Sequence, residues 1–166
     1  TELCNQSLEI RTKIDDKKGI SYSLTSLGNI AHTRGDLAEA ERLYREGLAI
    51  KREIGDQLPE ADVLRVLGHN ASDRGDLDEA ERLYRESLAI LRVIGHREGE
   101  ANSLTALGHI ARTRGDLDEE ERLYRESVRI KNEIGVSLSD WLVENGYTDP
   151  DAPWDFPPKD RCDEDE

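Results

Sequence analysis

The chain has 166 residues, 36% of them charged, and its formal net charge at pH 7 is −14. Nucleic acids and anionic membranes are bound by clustered Lys and Arg, so this acidic balance excludes both as main partners. No apolar run approaches the roughly 18 residues of a membrane-spanning helix and no secretory signal pattern opens the chain, so a cytoplasmic protein is expected.

A 40-residue repeat organises the chain as far as residue 135. Three short motifs recur in one register: Leu-Gly at 27–28, 67–68 and 107–108, Arg-Gly-Asp-Leu at 34–37, 74–77 and 114–117, and Leu-Tyr-Arg-Glu at 43–46, 83–86 and 123–126. A fixed period of this length predicts stacked units that cannot bury their apolar faces alone. The predicted units are an incomplete one at 1–16 and complete ones at 17–55, 56–95 and 96–135.

The first 16 residues are predicted to be the second helix of a repeat whose first helix is missing. Residues 4–15 align with residues 44–55. The alignment superposes apolar residues, namely Leu8, Ile10 and Ile14 on Leu48, Ile50 and Ile54. Because the chain starts with Thr and contains no Met, we expect a processed chain or a piece of a longer one. Cys4 and Cys162 lack any CxxC pairing and are predicted to be reduced thiols.

Each complete unit opens with a predicted amphipathic helix. One face of this helix carries apolar or small residues at the i, i+3, i+4, i+7 spacing. In the first unit these residues are Leu24, Leu27, Gly28 and Ala31, and residues 64–71 and 104–111 repeat the pattern. Gly35 stands where this helix must end, since glycine adopts the left-handed conformation of a C-terminal cap without steric cost.

A second amphipathic helix follows a tight turn. Asp36 is predicted to cap its N-terminus, and Glu39, three residues on, to complete a capping box. The spacing separates an apolar stripe from polar faces. The stripe comprises Leu37, Ala40, Leu43, Tyr44, Leu48 and Ile54, and the polar faces Glu41, Arg42, Arg45, Glu46, Lys51 and Arg52. The two helices of a unit are therefore predicted to form an antiparallel pair.

These helix pairs resemble the tetratricopeptide repeat. The resemblance depends on a small residue in the first helix, a small residue in the second and a large aromatic residue near it. They are Gly28, Gly68 and Gly108, then Ala40 and Ala80, then Tyr44, Tyr84 and Tyr124. The repeat length and the Leu27-Gly28-Asn29 triplet are similar to the subclass of kinesin light chains and Leu-Gly-Asn repeat proteins, although the later units have Leu-Gly-His. The resemblance implies an all-α fold, a right-handed superhelical solenoid of antiparallel helix pairs.

Two charged residues interrupt the pattern in the third unit. Glu120 replaces the small Ala80, and Arg129 replaces Ala89. Because burying an unpaired charge is costly, we predict that the outer side of this unit faces water or a polar cap and that the array ends here.

The resemblance also implies a non-enzymatic protein–protein interaction scaffold, which binds a peptide or helix in a concave groove lined by the first helices. The groove positions carried over from the family are Tyr22, Thr25, Asn29, His32, Arg65, His69, Asn102, Thr105, His109 and Arg112. Their arginines and histidines predict a mildly basic patch for a protein or peptide partner with acidic groups. Two alternatives stay open: these positions are ordinary solvated faces, or the chain is the sensory or regulatory repeat domain of a larger signalling or transcription-control protein.

Neither catalysis nor a cofactor is predicted. The chain has no nucleophile–base pair, phosphate loop or HExxH motif. His69 and His109 share a register, but further ligands at a recognisable spacing are missing, so no metal site is expected.

After Gly135 the repeat pattern stops. Residues 136–147 are predicted to form a short capping helix that docks Trp141 and Leu142 on the last repeat. Residues 148–166 are rich in Pro and acids and predict an extended or disordered tail. The tail has two interpretations: a solubilising segment, or an acidic and aromatic segment that folds back into the basic groove and competes with a partner.

Overall fold

The computed structural model describes residues 2–135, with the backbone alone for Glu2. Every regular element in this range is an α-helix. The helices are α1 (Glu2–Lys13), α2 (Lys17–Thr33), α3 (Leu37–Ile54), α4 (Gln57–Asp73), α5 (Leu77–Val93), α6 (Arg97–Thr113) and α7 (Leu117–Glu133). The predicted capping helix at 136–147 and the predicted tail at 148–166, with Cys162, lie outside the described residues.

The chain divides into two compact units, Thr1–Gly95 and His96–Glu166. In the first unit, α2 pairs with α3 and α4 with α5, while α1 packs on α2 and α3 packs on α4. In the second unit, α6 pairs with α7. Each pair joins a helix from the first half of a 40-residue period to one from the second half. The boundaries of the repeats stay predictions.

A glycine and a tyrosine set the approach of the two helices in each pair. A Cβ added to Gly28 of α2 would lie 2.6 Å from the Tyr44 ring of α3, and one added to Gly68 would lie 2.7 Å from Tyr84. Both rings are 2% exposed. The missing side chain therefore provides the space that the aromatic ring fills, as in close-packed protein interiors.

A second close contact lies further along each pair. The Ser87 hydroxyl of α5 donates to the Ala61 carbonyl of α4 at 2.8 Å, and Ser127 of α7 donates to Ala101 of α6 at the same distance. The equivalent residue of α3 is Gly47, whose added Cβ would lie 3.3 Å from the Ser21 carbonyl oxygen. Small residues thus hold the helices of a pair together at two points.

The turn inside each pair follows the predicted C-terminal cap. Gly35 has φ of 79° and donates to the His32 carbonyl, while Asp36 donates its backbone N–H to the Ala31 carbonyl at 3.0 Å. These two bonds form a Schellman motif, which satisfies the last carbonyls of α2. Asp36 also caps α3, because its carboxylate accepts from the Glu39 N–H at 3.1 Å.

The predicted capping box is wrong in its second half. In a capping box the Glu39 side chain would accept from the Asp36 N–H, but the Ala31 carbonyl already uses that donor. Both carboxylate oxygens of Glu39 instead accept from Arg42, one turn further along α3. The C-terminal cap of the first helix therefore displaces the glutamate from the N-terminal cap of the second.

The predicted polarity of α3 is also wrong at two positions. Lys51, which was placed on a polar face, is 3% exposed, and Ile54, which was placed in the apolar stripe, is 40% exposed. Lys51 lies in the register that Leu91 occupies in α5, and Leu91 is 2% exposed. The sequence interpretation placed Lys51 on a polar face because lysine is charged. Its position in the repeat is an interior one, where the alkyl chain of the lysine is buried.

Ion pairs join the second helix of one repeat to the next repeat in the first unit. Arg45 of α3 lies 3.2 Å from Glu79 of α5, and Arg52 of α3 pairs with Glu86 of α5. Arg74, at the C-terminal cap of α4, pairs with Glu41 of α3. We call these three pairs the arginine ladder. Exposed pairs of this kind contribute roughly 0.2 to 1 kcal/mol each.

We predict that Gly28→Leu destabilises the protein by about 1 to 3 kcal/mol, because the new side chain overlaps the Tyr44 ring and forces the helices apart. Ser26→Leu is the matched control, since it introduces the same residue at an exposed position of α2. Urea unfolding of both variants measures the difference. Equal stabilities would contradict the assigned glycine–tyrosine contact.

Candidate functional site

The candidate site is the exposed side of the first helices, described here for each unit by itself, and we call it the first-helix face of that unit. In the first unit it comprises Tyr22, Ser26 and Asn29 of α2, with Asp62, Arg65, His69 and Asp73 of α4. In the second unit it comprises Asn102, His109 and Arg112 of α6. His32 Nε2 of α2 lies 2.8 Å from the Asp73 carboxylate of α4, the next first helix of the same unit.

Asn29, His69 and His109 occupy one register of this face, and each binds the tyrosine of its own helix pair. The Tyr44 hydroxyl donates to Asn29 Oδ1 at 2.6 Å, and the Tyr84 hydroxyl lies 2.9 Å from His69 Nδ1. The Tyr124 hydroxyl lies 2.9 Å from His109 Nδ1. Asn and His therefore serve the same packing role here, and each keeps the rest of its polar edge exposed.

The two histidine rings also contact their tyrosine rings edge to face. The ring centres of His69 and Tyr84 are 5.3 Å apart, and those of His109 and Tyr124 are 5.5 Å apart. Burial lowers the pKa of His109, and the nearby Arg112 guanidinium lowers it further, against the opposing effect of the Glu120 carboxylate. The neutral imidazole is thus the form that the folded protein favours.

Thr25 and Thr105 are predicted to line a groove, but their hydroxyls make hydrogen bonds within the protein. The Thr25 hydroxyl donates to the Ser21 carbonyl of its own helix at 2.9 Å. The Thr105 hydroxyl lies 2.9 Å from the Ser127 hydroxyl of α7 and is half-buried. The second repeat has a charged residue, Arg65, in this register. Its guanidinium lies 3.5 Å from His69 Nε2.

The position of Glu120 corrects one expectation about the third repeat. Glu120 is 4% exposed rather than facing water, and its carboxylate accepts from the Arg112 guanidinium. Arg112 also lies over the Tyr124 ring, 5.7 Å from its centre. A buried carboxylate is tolerated because this arginine pairs with it. Arg129, the other unusual charge, is exposed and pairs with Glu133 at 3.2 Å.

Lys51 is a residue of the site that the sequence interpretation missed. It belongs to α3, but its Nζ lies 4.2 Å from the centre of the Tyr22 ring on the first-helix face. Burial lowers the pKa of Lys51, against the opposing carboxylates of Asp56 and Asp62. The one available signal was the comparison of repeats, which places a leucine, Leu91, at the same position.

A cleft between α1, α2 and α3 was also missed. Its volume is about 420 Å³, with Leu8, Leu24 and Leu43 among its apolar lining and Glu39 and Arg42 among its charged lining. One repeat further on, Arg45 of α3 pairs with Glu79 of α5 at 3.2 Å. In α1 the corresponding residue is Asn5, which is shorter and uncharged.

Metal-ligating residues are dispersed in the described part of the chain. Between residues 2 and 135, no three His, Cys, Asp or Glu side chains come together as ligands would. Within the same range, no helix is both long and apolar enough to span a membrane.

Comparison with known proteins identifies the repeat. The family model of the tetratricopeptide repeat matches residues 1–53 and 59–133. The search of curated proteins gave no match. Among solved structures, BtubC (BKLC) from P. vanneervenii superposes with a TM-score of 0.73 at 19% sequence identity, covering 93% of this chain and 59% of that one.

A second solved structure is a candidate kinesin light chain from Podosopora anserina with nearly identical TPR-like repeats. It superposes with a TM-score of 0.66 at 20% identity, covering 80% of this chain and 65% of that chain. This chain thus spans about three-fifths to two-thirds of the length of both. At these identities the similarity shows the fold, so the predicted all-α repeat solenoid of the kinesin light chain type is confirmed.

We predict that Arg112→Ala destabilises the protein by about 1 to 3 kcal/mol, because it leaves the buried Glu120 carboxylate without its guanidinium. Glu120→Ala, which restores the residue of the second repeat, is expected to cost much less. The double variant should recover most of the loss caused by Arg112→Ala. Urea unfolding of the three variants tests this, and additive losses would contradict a coupled pair.

We predict that His109→Asn reduces the loss of stability on acidification. The pKa of His109 is lower in the folded protein than in the unfolded chain, so its contribution is complete above the unfolded pKa of about 6.5 and is lost as the pH falls toward the folded value. Asn, which the first repeat uses in this register, does not titrate. Melting temperatures between pH 7.5 and 5 provide the measurement, and parallel curves for the two proteins would contradict the prediction.

Proposed function

Because the chain belongs to the tetratricopeptide repeat family, whose repeats generally mediate protein–protein interactions, we propose that it binds an extended or helical peptide of a partner protein on its first-helix face. The observation that carries this proposal is the unequal variation of the repeats. Residues that pack the helix pairs recur, whereas those exposed on the first helices change from one repeat to the next.

The contrast is clearest between two positions of the first helices. At packing positions, Gly28, Gly68 and Gly108 are identical, because each faces a tyrosine ring. Six residues before them, one exposed register has a different residue in each repeat, namely Tyr22, Asp62 and Asn102. A scaffold alone requires only polar residues on that side, so a distinct residue in each repeat suits a surface that distinguishes ligands.

The construction of the face also suits recognition. Asn29, His69 and His109 are held by tyrosine hydroxyls from the second helices, so their orientation is set before a ligand arrives. Side chains that are already ordered lose less conformational entropy on binding. The Asn29 amide can then offer hydrogen bonds to an extended peptide backbone.

The proposal is tested with peptides selected from a random 12-residue library for binding to the full chain. We expect Arg65→Ala combined with Asn102→Ala to weaken the selected peptides about tenfold or more, measured by fluorescence anisotropy, since centrally placed contacts cost more than 1 kcal/mol when truncated. Arg65 lies on α4 and Asn102 is exposed on α6.

The matched control is Arg85→Ala combined with Asn132→Ala, which removes the same two residue types from exposed positions of the second helices α5 and α7. Its affinities should stay within about twofold of the wild type, in line with the small effect of side chains outside an interface. Loss of binding in the control but not in the first pair would place the site on the second helices. A library that yields no binding peptide would contradict the proposed function.

A further inference from the structure

We propose that Lys51 and Tyr22 form a binding site for one carboxylate group, and that this group is an acidic side chain of the peptide held on the first-helix face. The inference rests on the proposed function and adds the chemistry of the ligand. Three of the four residues in this register are cations, namely Arg11, Lys51 and Lys131, but Leu91 of α5 shows that the packing does not require one.

The ammonium group of Lys51 lacks a counter-ion within residues 2–135. The residue is 3% exposed, and its one direct electrostatic contact in this range is the Tyr22 ring, 4.2 Å from Nζ. An aromatic face attracts a cation but does not accept the three N–H bonds that an ammonium group can donate. Buried lysines are almost always paired, so this one is exceptional.

The acidic residues of the first unit near Lys51 leave it unpaired. Asp56 lies 3.2 Å from Lys18 and Glu53 lies 2.5 Å from Lys17, so both carboxylates have other partners. The Asp62 carboxylate raises the pKa of Lys51 by its charge but forms no ion pair with it. The Lys18 ammonium group lowers the pKa of Lys51, because the two charges repel each other. The hydrogen-bonding positions of the ammonium group therefore remain open to a ligand.

Other repeats show that a lysine is unnecessary for packing here. The equivalent residue of α1 is Arg11, whose guanidinium donates to the Gly19 carbonyl at 2.8 Å and to the Ser23 hydroxyl at 2.9 Å. The equivalent residue of α5 is Leu91, which is 2% exposed. Helix α1 satisfies the charge within the fold and α5 omits it. Lys51 does neither: its alkyl chain packs in the interior, while its ammonium group has no counter-ion among residues 2–135, and such a cost to stability indicates function.

The position of Tyr22 directs this cation toward the first-helix face. Tyr22 is 46% exposed, and the Lys51 Nζ lies 4.2 Å from the centre of its ring. A ligand lying along α2 would thus meet the ring and the ammonium group together. A carboxylate supplies both the charge and the acceptor oxygens that Lys51 lacks, and such bonds are strong where water is excluded.

The same surroundings favour a single negative charge over a doubly charged phosphate. Asp56 and Asp62 act on the Lys51 site with like charge, and their repulsion grows with the charge of the ligand. An aspartate or glutamate side chain has the smaller charge and a flat group that fits against a ring.

The first test uses peptides selected against the full chain, each paired with a version in which Gln and Asn replace Glu and Asp. We expect Lys51→Leu to weaken the acidic version at least tenfold, about 1.4 kcal/mol, and to leave the amide version within about twofold. Lys13→Leu, an exposed position of α1 with the same change of charge, is the control. The melting temperature of Lys51→Leu should equal or exceed that of the wild type, because leucine occupies this site in α5.

The second test needs no selected peptide. The chain has six lysines, so ¹³C-lysine labelling resolves the Lys51 side chain, which is assigned by its absence in Lys51→Leu. Sodium acetate should shift this resonance saturably, whereas sodium chloride at equal ionic strength should not. Identical shifts with the two salts would overturn the carboxylate site, even if no peptide had been selected.

The remaining outcomes separate this inference from the proposed function. Peptides that need Arg65 and Asn102 but tolerate Lys51→Leu would overturn the carboxylate site and leave the first-helix face as the binding surface. A third arm replaces the eight acids of residues 149–166 by amides in the full chain. If that change alone moves the Lys51 resonance in the free protein, the carboxylate comes from the chain itself, and its assignment to a partner is overturned.

Discussion

The contact between a glycine of the first helix and a tyrosine of the second is the constraint on which the rest of this structure depends. A glycine lets the helix axes approach until the ring fills the space, and the ring in turn requires that no side chain stand opposite. The small alanine at Ala40, which is fully buried, belongs to the same close packing. Because the contact recurs every 40 residues, it produces the same pair geometry from slightly different sequences.

The same tyrosines connect the interior to the surface proposed for binding. Their rings pack against glycine, while their hydroxyls reach Asn29, His69 and His109 on the outer side of the first helices. One side chain thus joins the core to the face where the repeats differ. Substitution in this register changes both stability and surface chemistry, so a loss of ligand binding there needs a stability measurement beside it. Substitution of Arg65 or Asn102 is expected to affect stability less, so a loss of ligand binding in those variants is easier to attribute to the binding surface.

Recurrence explains how much could be predicted from the sequence. Glycine, tyrosine and the capping aspartates each appear three times in one register, so helix pairs, their turns and the repeat family followed from the sequence. Lys51 and Glu120 could not be placed in this way. Their burial depends on one partner each, the Tyr22 ring and the Arg112 guanidinium, and both partners lie on another helix. Their charge indicated exposed positions, whereas the equivalent residues of the second repeat, Leu91 and Ala80, indicated buried ones.

The arginine ladder has a consequence for how the repeats of the first unit act on one another. Within a pair, the helices are joined mainly by apolar contacts and short hydrogen bonds, whereas the second helices α3 and α5 are joined by exposed ion pairs. Dissolved salt screens the latter far more than the former. Ionic strength therefore changes the part of the coupling between repeats that the ladder contributes, while the packing of α3 on α4 and of each pair is retained. In α1, Asn5 and Thr12 occupy the positions of the ladder arginines Arg45 and Arg52, so salt has no such ion pairs to screen at those two positions.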